Sequence, residues 1–167
     1  MKYLFFDYIN KDIFFRFDAD DLFYYSTHKI MKRGGHLFVS DYGMQVNILS
    51  RYGIKNYGVA GRDYRFVNGD STDYRYSNIE IINKYNGVTK IITKGLPVYL
   101  AKIHVNGDII IGRYSTEVEA AIAYNKAVHL LRSKGINKNY STNYIDETDE
   151  IEYAKIYHQV KVNKKLF

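Results

Sequence analysis

The stretch PVYLAKIHVNGDIIIGRY, Pro97 to Tyr114, leaves this chain few folds to choose from. Its side chains alternate as a half-buried strand requires: Tyr99, Ala101, Ile103 and Val105 share one face, and Leu100, Lys102 and His104 share the other. Asn106-Gly107 is a dipeptide that hairpin turns favour, because such turns need residues that tolerate positive φ. Asp108–Tyr114 is then the partner strand, with Ile109 and Ile111 on the apolar face. An earlier strand, Val88–Thr93, turns at Lys94-Gly95, which makes a three-stranded antiparallel meander. A helix follows. Thr116 and Glu119 have the spacing of a capping box, Glu117 and Glu119 suit the positive end of the helix dipole, Arg132 and Lys134 suit the other end, and Gly135 terminates it. Ala120, Tyr124, Ala127 and Leu131 form one stripe, flanked by Ala121 and Val128, and the small alanines let the helix lie close to the sheet.

The first half is less constrained. Residues 1–40 alternate aromatic-rich runs (YLFFDYI, DIFFRFDAD, DLFYYSTHKI, HLFVS) with polar breaks and are expected as short strands and turns. Asp18, Asp20 and Asp21 are close enough to hold a metal, but a polar turn is the plainer expectation. Lys32-Arg33-Gly34-Gly35 is expected as a loop whose cations touch phosphate or face water. MQVNILSRYGIKN predicts a short helix ending at Gly53, followed by a loop to Val67, the Asn68-Gly69 turn, and an apolar anchor of Ile79, Ile81 and Ile82. The tail from Tyr144, acidic first and basic last, is either a helix packing on the body or a dimer contact.

Charge narrows the partners. Of the net +6, residues 84–143 hold 9 basic and 3 acidic side chains, while residues 1–83 and 144–167 are close to balanced. A basic field localised in one segment is the footprint expected for a phosphate backbone. No run of about 18 apolar residues offers a membrane span. MKYLFFDYINKD is a poor signal peptide, and the absence of Cys excludes disulfides and thiolate metal sites, so a cytoplasmic location is expected. With one sheet face on the helix, the other should present Asn86, Thr89, Ile91, Leu100, Lys102, His104 and Ile110, with Lys90 and Lys94 at strand edges or turns. Lys102 and His104 can donate to phosphate or guanine, Asn86 can pair with adenine, and the aliphatic groups can pack on thymine methyls in a major groove about 12 Å wide. The exposed apolar groups fit a protein partner or a homodimer as well.

KYNGVTK followed by VYLAKIHVNGDIIIGRYSTEVEAAIAYNKAV resembles the Apetala-two/ethylene-response-factor (ERF) DNA-binding domain. The shared features are the Tyr-x-Gly-Val start, the aromatic-x-Ala-x-Ile strand, the aliphatic-Gly-x-aromatic strand end and Thr-x-x-Glu-Ala-Ala-x-Ala-Tyr. The resemblance implies double-stranded DNA as partner, bound by the sheet in the major groove, and carries that role onto Asn86, Thr89, Ile91, Lys102, His104 and Ile110. Plant members place mostly Arg and Trp there, so their target sequence does not transfer.

The stretch Arg65-Phe66-Val67-Asn68-Gly69-Asp70-Ser71-Thr72-Asp73-Tyr74-Arg75-Tyr76-Ser77-Asn78-Ile79 resembles the HNH nucleases of phage and homing-type elements, which often carry an Apetala-two-like module directly afterwards. The turn, Asp73, Arg75 and Asn78 match. The groups that chemistry needs do not: Phe66 stands at the position of the proton-accepting His, Arg65 at that of a metal carboxylate, Tyr74 at that of a polar Asn, and Asn47 at that of an upstream His. The expected fold is therefore α+β: a degenerate ββα-metal half, then a three-stranded antiparallel sheet packed on one α-helix. The expected regions are a strand-rich 1–40, an HNH-like 41–83, an Apetala-two-like 84–143 and a tail 144–167. The expected function is non-catalytic duplex DNA binding of phage or mobile-element type, as in a transcriptional regulator in a bacterial cytoplasm, with Arg65 and Arg75 gripping the backbone and no cofactor. The rivals are a divergent nicking or homing endonuclease using Mg or Mn, with His28 or His36 recruited, and a protein-binding inhibitor module.

Overall fold

The meander around Asn106-Gly107 forms in a computed structural model of the chain, which describes residues 4–10 and 13–167. The reading of MKYLFFDYINKD rests partly on residues 1–3 and 11–12, which lie outside the described residues. The chain divides into two compact units, one ending at Lys84 and the other spanning Tyr85–Phe167, and the fold is mixed α+β. Among the described residues no helix is long and apolar enough to cross a membrane.

In the first unit, β1 (Leu4–Asn10) pairs antiparallel with β2 (Ile13–Asp18). A 3-10 turn at Ala19–Asp21 runs into α1, Leu22–Thr27. DLFYYSTHKI is thus helical in its centre rather than a strand. Tyr25 stacks on Phe17 in the core, and Tyr24 takes the Arg51 guanidinium 3.9 Å from its ring centre. Two of the three aspartates of this turn serve the fold: Asp21 is buried and pairs with Arg51 at 2.5 Å, and Asp18 accepts the Tyr76 amide at 2.8 Å.

Strands β3 (Ile30–Arg33), β4 (His36–Asp41) and β5 (Met44–Asn47) form a second antiparallel sheet. Lys32 and Arg33 therefore lie in a strand, and only Gly34-Gly35, both at positive φ, make the turn. The helix expected over residues 44–56 is instead β5 followed by a 3-10 helix, Ile48–Tyr52. Asn47 caps that helix by accepting the Leu49 amide, and Gly53 ends it in the left-handed region. Strands β6 (Tyr64–Phe66) and β7 (Ile79–Ile81) form a two-stranded ribbon. No helix follows β7 directly; residues 82–87 lead into the next strand.

The second unit carries β8 (Val88–Thr93), β9 (Leu96–His104) and β10 (Asp108–Tyr114) in the sheet order β10-β9-β8. Helix α2, Glu117–Ser133, begins with the capping box of Thr116 and Glu119. Ala120, Ala121, Ala123 and Ala127 are fully buried against Val88, Ala101, Ile103 and Ile111. The tail becomes α3, Glu150–Gln159, which Asp149 caps by accepting the Glu152 amide. Tyr153, Ile156 and Tyr157 pack on the α2 core, as a helix packing on the body requires. Leu166 near the chain end is fully buried, a contribution of about 2–3 kcal/mol.

The start of the second unit is the tightest point. Gly87 has φ +71, and a Cβ there would lie 2.2 Å from the Tyr124 ring and 2.6 Å from the Lys102 carbonyl. Three asparagines hold this approach. Asn143 donates its amide to Asn125 Oδ1 (2.7 Å) and accepts from Asn125 Nδ2 (2.9 Å). Its side chain brackets Asn86, accepting that residue's N–H at 2.7 Å and donating to its carbonyl at 3.1 Å.

Gly87→Ala should therefore destabilise the second unit by about 2–4 kcal/mol in denaturant unfolding. Gly95→Ala, at φ +78 but with nothing within 4 Å of the new Cβ, should cost only about 1 kcal/mol. Equal losses would show that left-handed backbone alone, and not the helix approach, fixes Gly87.

Candidate nucleic-acid interface

Register decides what the sheet presents on the side away from α2. Val88 faces the core opposite Ala101, so Thr89 and Ile91, paired with Leu100 and Val98, face outward. Lys102 stands opposite Ile110, and His104 opposite Asp108. Thr89, Ile91, Leu100 and Lys102 are half-buried on this face, and His104 and Ile110 are exposed. The sequence-predicted residues Thr89, Ile91, Leu100, Lys102, His104 and Ile110 thus converge on one surface. Asn86 sits at its margin, with its backbone held by Asn143. Lys94 shares the Lys94-Gly95 turn, both at positive φ. Lys90 does not join them: its register partner is Tyr99, which packs on the helix side.

Two features escape simple alternation. A bulge between Ile110 and Gly112 resets the pleat, so that Ile111 is buried and Arg113 comes opposite Leu100. Without the bulge Arg113 would face the helix; with it, the exposed guanidinium joins the outer face. Asp108 is the other. Its carboxylate accepts from Lys102 Nζ and His104 Nδ1, both at 3.0 Å, and His104 first, then Lys102, hold it below the usual carboxylate range. The two side chains expected to read DNA are therefore tethered to one acid. The sequence contained this signal, since His104 and Asp108 flank the same hairpin connection.

The ribbon of the first unit spends its polar groups internally. Arg65 pairs with Glu80 through Nε at 2.7 Å. Phe66 is half-buried against Tyr64 and Tyr74, with ring centres 5.7 and 5.4 Å away. Asp73 is fully buried; its carboxylate accepts from Arg75 Nε at 2.8 Å and Asn68 Nδ2 at 2.9 Å. Asn78 donates to the Asp73 carbonyl (2.9 Å) and accepts the Asn68 amide (2.8 Å). Asp70 accepts from the Thr72 hydroxyl at 2.7 Å and the Thr72 amide at 2.9 Å. Asn68, Asp73, Arg75 and Asn78, the residues that match the nuclease pattern, thus hold the shape of their own loop. This donor set does not fit a divalent cation, because the buried carboxylate already has a guanidinium and an amide, and Arg65 brings positive charge. Asn47 spends its Oδ1 on the Leu49 amide, and His28 Nε2 lies 3.4 Å from Asp41.

Comparison with known proteins gives no match: none among protein-family models, none among curated proteins and none among solved structures.

The Asp73 network sets a pH dependence. Arg75 first, together with the Arg75 and Asn68 hydrogen bonds, holds the Asp73 carboxyl below its ordinary value. A depressed folded-state pKa means stability that is present above about pH 4 and is lost as pH falls through the folded value. Asp73→Asn should cost the first unit about 2–3 kcal/mol at pH 7. Wild type and variant should converge in denaturant midpoint as pH falls toward 2; a gap that persists there would contradict the assignment.

Proposed function

We propose that the protein is a non-catalytic duplex-DNA-binding protein that lays the outer face of β8–β10 into the major groove. The single observation that carries this reading is the open sheet face itself. It sets three cationic or titratable groups, Lys102, His104 and Arg113, among the aliphatic side chains of Ile91, Leu100 and Ile110, on the side away from α2. A three-stranded ribbon with strands about 4.8 Å apart fits a groove about 12 Å wide. The resemblance to Apetala-two/ERF domains supports the same face, and, together with the resemblance of residues 65–79 to HNH nucleases of phage and homing-type elements, supports a role in transcriptional control of a phage or mobile element. Arg65 and Arg75 would touch phosphate only with the N–H groups they do not already give to Glu80 and Asp73, so the sheet supplies the main affinity.

Asp108 shapes the interaction. With its carboxylate between Lys102 and His104, the face is less cationic than its sequence implies, which limits indiscriminate backbone binding. The ribbon of the first unit is proposed as a former nuclease frame without chemistry: Phe66 offers no proton acceptor, and Asp73 is committed to Arg75. The protein-partner reading draws on Ile92 and Leu96, which are 66% and 67% exposed at the β8–β9 turn.

Four measurements separate these readings. In fluorescence-anisotropy titrations, Lys102→Ala/His104→Ala should weaken duplex binding by about 1–3 kcal/mol if these groups read bases. Asp108→Asn should tighten binding to random duplex several-fold and steepen its salt dependence; unchanged or weaker binding would contradict the tether. Affinity should fall steeply with salt, whereas flat, weak binding favours a protein partner. Nicking of plasmid with Mg or Mn that EDTA abolishes would overturn the non-catalytic reading.

A further inference from the structure

The last eight residues, VKVNKKLF, carry three lysines and no acid. A tail of this composition ordinarily frays. Here it is pinned along its length to the edge strand β10 and to α2. Lys126 donates to the Tyr157 and Val160 carbonyls, both at 2.9 Å, which fixes the point where α3 ends. Tyr114 Oη donates to the Lys161 carbonyl at 2.7 Å. Asn163 donates its backbone N–H to the Ile111 carbonyl and its side-chain amide to the Ile110 carbonyl, each at 2.9 Å. Asn163 also caps a final 3-10 turn, Lys164–Leu166, by accepting the Lys165 amide at 3.0 Å. Val160 and Leu166 are buried in the core between sheet and helix, while Lys161, Lys164 and Lys165 are exposed.

This strap does more than cover an unpaired strand edge. It holds lysines at a fixed place beside Ile110, whose side chain lies on the proposed reading face. Three strands span about 10 Å, so a sheet seated in a groove about 12 Å wide brings its edges to the groove walls, where the phosphates run. A segment tied to the β10 edge would, with the sheet so seated, be carried toward that wall.

Resting on the DNA-binding reading of the sheet, we infer that the pinned C-terminal strap is a sequence-independent phosphate clamp, with Lys164 and Lys165 contacting the duplex backbone beside β10. The pinning matters because the lysines are presented with the backbone already ordered, so binding does not have to restrict a flexible tail. Base preference stays with the outer face, and the strap adds affinity and register.

The test uses the full chain and random-sequence duplex at several salt concentrations. Lys164→Ala/Lys165→Ala should flatten the slope of log K against log salt by about 2 and weaken binding equally for all duplexes, with an unchanged melting temperature. Asn163→Ala keeps every charge and the backbone tie to Ile111 but removes the side-chain tie to Ile110 and the cap of the last turn, and should weaken binding several-fold. If the double-lysine variant keeps the wild-type slope while Lys102→Ala/His104→Ala loses affinity, the clamp is wrong and the sheet reading stands. If wild type binds duplex without salt dependence, the sheet reading fails and the clamp fails with it.

Discussion

The close approach of α2 to its sheet is the constraint on which the second unit depends. Four fully buried alanines let the helix lie near the strands, and Gly87 lets the chain pass where the Tyr124 ring and the Lys102 carbonyl leave no room for a Cβ. The asparagine set of Asn86, Asn125 and Asn143 locks that geometry by satisfying backbone groups that burial would otherwise strand. Its consequence is directional. Once one sheet face is committed to the helix, the pleat sends Thr89, Ile91, Leu100, Lys102, His104 and Ile110 to the other.

Charge is managed by pairing in both units. Asp108 tethers Lys102 and His104, Asp73 holds Arg75, and Asp63, fully buried, lies 3.0 Å from Lys55 and 2.7 Å from Arg62. In the first unit these pairs are partly buried and shape loops. On the sheet the pair is exposed, so solvent screens it and phosphate can compete for the cations. The same chemistry therefore gives a rigid frame in one place and an exchangeable one in the other.

Much of the second unit was legible because local signals agreed with each other. Alternation, two Gly-containing turns, a capping box and an alanine stripe all name one sheet on one helix. The misses have physical reasons. Leu22–Thr27 is aromatic enough to look like a strand, and six residues are too few for helical periodicity to contradict that. Gly53 marked a helix end correctly, but residues 44–47 pair with β4, a long-range preference no local pattern reveals. Arg113 was missed because a bulge shifts the pleat by one residue. The α3 tail was undecidable because Tyr153, Ile156 and Tyr157 acquire a meaning only against the α2 core. Asp108 could have been found, since the turn at Asn106-Gly107 fixes its position opposite His104.

The central claim is that the side of the sheet away from α2 meets the duplex. Its most direct test is backbone-amide NMR of the full chain during titration with short random duplex DNA. The account predicts shifts concentrated on residues 89–91, 100–104 and 108–113, with α2 unperturbed. Shifts confined to α2 and α3, or none at saturating DNA, would contradict it.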